Sequence, residues 1–102
     1  METNIQTIHK VRQDVLEPSM YAVILFNDEI TTMDFVVALL VKIFNKQPAE
    51  ASSVMMDIHQ KGQGVAGVYT YDIAVTKKAQ SEQLAIQQGF PLRLTLDEIY
   101  ES

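Results

Sequence analysis

Residues 20–26, MYAVILF, form an unbroken apolar run of seven, rich in β-branched and bulky side chains. A short continuous run of this kind reads as a strand buried on both faces. Asn27, Asp28 and Glu29 follow at once, and an apolar helical pattern begins within a few residues. A connection needs turn residues, but it does not need three strong hydrogen-bonding groups in succession.

Beyond that turn, Val36, Leu39, Leu40 and Ile43 repeat at the spacing of one helix face, which predicts a first helix to about Asn45. Thr31 is its expected N-cap, with Asp34 three residues on in a partial capping box. Pro48 suits the first turn of a second helix over 48–60, with Ala51, Val54, Met55 and Ile58 facing inward and Gly62 as its stop. GVAGVYTY then reads as a strand, and Asp72 as the cap of a longer helix ended by Gly89 and Pro91. In LRLTL, Leu92, Leu94 and Leu96 alternate with Arg93 and Thr95, the mark of a half-buried strand. The order is β-α-α-β-α-β, an α/β (α+β) fold with three helices packed on a three-stranded sheet. No internal repeat or low-complexity segment interrupts it.

Residues 1–18 are mostly polar and end at Pro18, so they are expected to form a flexible N-terminal arm. Ile5, Ile8, Val11 and Val15 carry a loose helical spacing within it. Residues 19–102 then make one domain, a size that ~100–150 residues per domain allows. The chain contains no cysteine, which removes disulfides, thiolate nucleophiles and Cys-based zinc sites and suits a cytoplasmic location. Neither a secretory apolar run nor a stretch of ~20 apolar residues is present, so no membrane association is expected. Acidic residues outnumber basic ones 13 to 8, and no basic stripe is visible, which argues against nucleic acid as a partner.

Several residues carry possible chemistry. Asn27 and Glu29 would point one way and Asp28 the other if the backbone stays extended there. His59 shares a helix face with Met55, four residues earlier. A turn using Asn and Asp for local bonds, and a histidine serving a helix C-terminus, are the plain alternatives. Met33, Met55 and Met56 can fill core gaps, or line a surface that accepts several shapes. His9 lies in the arm and gains no role. No nucleophile elbow, HExxH motif or phosphate loop is present, and no cofactor is expected. A carboxylate with His59 could still form a general-base dyad or a metal site, which keeps a small hydrolase as a second reading.

Three separated segments, PSMYAVILFNDEITTMDFV, VMMDIHQKGQGVAGVYT and FPLRLTL, resemble the ClpS family of bacterial N-degron adaptors. The resemblance spans about residues 18–97 and implies the same β-α-α-β-α-β fold. It implies an adaptor, not an enzyme, that binds proteins with Leu, Phe, Tyr or Trp at the N-terminus. Such adaptors hand their cargo to an AAA+ Clp unfoldase, ClpA in many bacteria, and their N-terminal extension engages it during delivery. By position, Asn27, Asp28 and His59 match the polar end of the family's pocket, with Glu29 standing where a second Asp is usual. Thr31, Met33, Val36, Met55 and Leu92 match its side-chain pocket, and Met33 its gate against β-branched N-terminal residues. Lys77 matches the unfoldase-binding face, while Asp72 stands there for Glu. Thr32 replaces the common Pro at the first helical position. A similar fold occurs in a ribosomal stalk domain, so fold alone leaves a structural interaction role open.

Overall fold

A computed structural model describes residues 19–99. Strand β1 is Met20–Phe26, helix α1 Met33–Lys42, helix α2 Pro48–Lys61, strand β2 Gln63–Thr70, helix α3 Tyr71–Gln88 and strand β3 Arg93–Ile99. The expected element order and three-on-three architecture are present. The arm expected over 1–18 lies outside the described residues.

All pairing is antiparallel, in the order β2-β1-β3, so β1 is the central strand. That position explains its unbroken apolar run: Ala22, Val23, Ile24 and Leu25 are all buried. Val23 and Leu25 pack into one core with Leu39 and Leu40 of α1, Ala51 and Ile58 of α2, Ala74 and Ala85 of α3, and Leu94 of β3. Burying a Leu or Val side chain contributes roughly 1.5–3 kcal/mol, so this layer is the main source of stability.

Helix boundaries differ from expectation at three places, each for a local reason. Thr32, not Thr31, caps α1, accepting from the Phe35 N–H at 3.2 Å. Thr31 is unavailable because its own N–H and hydroxyl both bond Asp28. Helix α1 stops at Lys42 rather than Asn45, which takes the left-handed conformation at φ 56°. At α3 the cap position is Thr70 and Asp72 lies in the first turn. Strand β2 reaches Thr70 opposite Met20, the first residue of β1, so its partner ends there and the chain turns straight into a helix.

Gly62 ends α2 at φ 89° and Gly89 ends α3 at φ 75°, both left-handed positions that favour glycine. Among the described residues no helix is long and apolar enough to cross a membrane.

Candidate functional site

The turn between β1 and α1 is built around Asp28. Its Oδ1 accepts the N–H of Ile30 at 2.8 Å and of Thr31 at 2.6 Å, and its Oδ2 accepts the Thr31 hydroxyl at 2.7 Å. A short acidic side chain folded back on the following backbone is what fixes such turns. Burial pushes the Asp28 carboxyl up, but the bonds from Thr31 and Ile30 outweigh it and hold the group below its ordinary value. The turn therefore presents a fixed, ionised carboxylate. A carboxylate has about four lone-pair directions, and local donors take three, leaving capacity for an incoming donor.

On either side of Asp28, Asn27 and Glu29 are exposed. Among the described residues their side chains make no hydrogen bond or ion pair. The Asn27 backbone N–H donates to the Gly62 carbonyl at 2.9 Å, just past the end of α2. His59 sits in the last turn of that helix, is exposed, and likewise has no partner among the described residues. One backbone bond thus brings the end of β1 to the helix end that carries the imidazole.

The apolar positions matched to a side-chain pocket are contributed by α1, α2 and the segment before β3. Val36 of α1, Met55 of α2 and Leu92, just before β3, belong to one buried cluster at 5%, 8% and 7% exposure. Thr31 is half-buried, and Met33, the first residue of α1, is 44% exposed. Ile30 escapes a pattern-based reading because a lone apolar residue in a polar turn has no periodicity. It stands 63% exposed between the two residues that clamp the turn.

The two residues matched to an unfoldase face separate. Asp72 is exposed in the first turn of α3. Lys77 is half-buried, and its Nζ donates to the Ile43 carbonyl at the C-terminus of α1 at 2.6 Å. The ammonium also lies 5.2 Å from the Tyr69 ring centre and 5.9 Å from that of Phe44. It holds α1 to α3, a role that 34 residues of separation hide from a reading of the sequence.

A cleft of about 540 Å³ lies elsewhere, between α3 and β3, lined by Tyr71, Val75, Lys78, Glu82 and Leu94 among others. Its two charged side chains pair with each other at 3.1 Å, so it offers no unmatched charge to a ligand. Among the described residues no three His, Cys, Asp or Glu side chains cluster so as to hold a metal ion.

The family profile described as ATP-dependent Clp protease adaptor protein ClpS matches residues 16–95. A ClpS adapter protein of Syntrophus aciditrophicus is 55% identical over 98 residues, covering 96% of this chain and 88% of its own. One from Clostridium acetobutylicum is 47% identical, covering 96% and 93%. Among solved structures, Agrobacterium tumefaciens ClpS2 bound to L-phenylalaninamide superposes with a TM-score of 0.78 at 35% identity, covering 81% of this chain and all of its own. The adaptor class displaces the hydrolase reading of His59 with Glu29 or Asp28, and the stalk reading with it. The chain belongs to the ClpS family, the adaptors of the ATP-dependent Clp protease, and is not an enzyme.

Proposed function

We propose that the protein binds the free α-amino group and the bulky apolar N-terminal residue, Leu, Phe, Tyr or Trp, of substrate proteins. It delivers them to an AAA+ Clp unfoldase of the ClpA type in the cytoplasm. Residues 19–102 form the recognition domain and 1–18 the arm that engages the unfoldase.

The observation that carries this reading is the acceptor-rich end of β1. Asn27, Glu29 and His59 are exposed and unpaired among the described residues; Asn27 and Glu29 flank an Asp28 carboxylate already fixed in place, and Asn27 bonds the end of the helix that carries His59. A free N-terminus is largely an ammonium, with an α-amino pKa of roughly 7.7–8.0. It has three N–H donors and no acceptor, so its complement is a group of lone pairs with negative charge. The Asn27 amide oxygen, a carboxylate oxygen of Asp28 or Glu29, and an unprotonated ring nitrogen of His59 supply that set. Charge-assisted bonds of this kind are worth about 1.5–3 kcal/mol each.

Choice among N-terminal residues comes from the apolar positions next to it. Thr31, Met33, Val36, Met55 and Leu92 receive the side chain, and a large apolar group gains roughly 1.5–3 kcal/mol there. Ala and Gly gain little, and a charged side chain loses its hydration. L-Phenylalaninamide, the molecule bound to the Agrobacterium relative, joins a free α-amino group to a benzyl side chain and an amide. Those three parts imitate the first residue of a protein.

Titrating L-phenylalaninamide into isotopically labelled protein tests the location. The amide signals of Asn27, Glu29, His59 and Met33 are expected to move together and saturate. Shifts confined to the α3–β3 cleft would place the ligand elsewhere and overturn the assignment.

A further inference from the structure

Ile30 is an unusual residue for its place. Turns between a strand and a helix favour Gly, Pro, Asn, Asp and Ser, which bend freely or bond their own backbone. An Ile does neither, and its β-branched side chain is stiff at χ1. In the connection from β1 to α1, Ile30 stands 63% exposed. It belongs neither to the buried core nor to the partly buried apolar side chains packed against it. A single exposed apolar side chain is ordinary on a protein surface, so exposure alone assigns it nothing. Its position does.

The Asp28 carboxylate gathers this turn. Its Oδ1 accepts the N–H of Ile30 at 2.8 Å and that of Thr31 at 2.6 Å, while Oδ2 accepts the Thr31 hydroxyl at 2.7 Å. Ile30 is thus held between the carboxylates at 28–29 and Thr31, with its backbone pinned at its own N–H and at the next. On the function proposed above, on which this inference rests, a substrate's amino group meets the acceptors at 27–29 and its first side chain enters the pocket at Thr31. The α-carbon of that first residue carries one further group, the carbonyl that leads to the second residue. Successive α-carbons are about 3.8 Å apart, in the substrate as in the turn. A chain end engaged with the residues on both sides of Ile30 therefore carries its second residue within a side chain's reach of it. Because the turn is already fixed, no backbone ordering opposes the contact.

We propose that Ile30 is a specificity-determining residue for the second position of the substrate. Its side chain packs on that of the second residue and favours an apolar one over a small polar one. The preferred cargo is then a free chain end with two successive apolar residues, the first enclosed and the second covered on one side. Covering about half of a Leu side chain in this way is worth about three- to tenfold in affinity.

Anisotropy titrations of the full chain with two labelled peptides, beginning Leu-Leu and Leu-Ser and otherwise identical, test this. Both second residues are uncharged, so the comparison is insensitive to the charges of Asp28 and Glu29. The wild-type protein is expected to bind the Leu-Leu peptide about three- to tenfold more tightly. Ile30→Ser is expected to bind both with the wild-type affinity for Leu-Ser, and Ile30→Leu to keep the preference. Neither substitution should move the melting temperature, because the side chain lies outside the core. No preference in the wild type, or one that survives Ile30→Ser, would overturn the proposal. So would an equal loss for both peptides, which would put Ile30 in the pocket for the first residue. In all three cases the amino-terminal reading stands as long as both peptides bind and their acetylated forms do not. Acetylated forms that bind as well would overturn the two together.

Discussion

The Asn27 N–H donates to the Gly62 carbonyl at 2.9 Å, tying the end of the central strand to the end of the helix that bears His59. Gly62 makes this possible by adopting φ 89°, where a side chain is disfavoured even though a Cβ would meet nothing within 4 Å. The cost of Gly62→Ala is therefore conformational, about 1–2 kcal/mol. Urea unfolding should show a lower midpoint with an unchanged slope. Gly62→Asn, which tolerates the left-handed region, should recover part of the loss.

Asp28 stabilises the turn through three hydrogen bonds, and Asp28→Ala should cost about 1–2 kcal/mol. The pH dependence has a definite sign. The folded carboxyl titrates below its ordinary value of 3.8, so its stabilising effect is complete above that value and is lost as pH falls through the lower folded one. Below about pH 4, the wild-type protein should lose stability more steeply than Asp28→Asn. Parallel acid limbs in urea titrations of the two would show that the carboxylate contributes no such linkage.

Lys77 and Asp72 should separate under substitution. Lys77→Met keeps the apolar stem but removes the ammonium that holds the Ile43 carbonyl, at a cost of about 1–2 kcal/mol. Asp72→Ala, on an exposed helix turn, should cost less than about 1 kcal/mol. If Asp72 touches the unfoldase, its substitution weakens that complex while leaving the melting temperature almost unchanged. An equal loss of stability in both variants would contradict the distinction.

Met33 stands 44% exposed at the start of α1, so its truncation should alter stability by less than about 0.5 kcal/mol. If Met33 is the gate that the family resemblance implies, it disfavours branching at the β-carbon of the incoming residue. Met33→Ala should therefore admit peptides beginning with Ile or Val, measured by competition against a Leu-initiated probe. Continued exclusion of both would show that Met33 is no gate.

The order of elements was legible because strand and helix repeats differ in MYAVILF, in the Val36–Ile43 stripe and in LRLTL. Cap identity was not. Thr31 and Thr32 are equally good caps by composition, and only the bonds from Thr31 to Asp28 decide between them. The reach of Lys77 to Ile43 and the Asn27–Gly62 bond are contacts between distant segments, which local propensity cannot express. The polar triplet at 27–29 raised the expectation of a site, because a turn alone has no use for three such groups. Which of them the turn itself consumes needed coordinates: Asp28 is engaged, whereas the side chains of Asn27 and Glu29 have no partner among the described residues.

Fluorescence anisotropy with matched peptides tests the central claim most directly. Peptides beginning with Leu or Phe should bind with dissociation constants of about a micromolar or somewhat tighter. Peptides beginning with Met or Glu, and the acetylated Leu peptide, should not, and Asn27→Ala or His59→Ala should weaken the Leu complex strongly. If acetyl-Leu binds as well as Leu, the charged chain end is not what this protein reads.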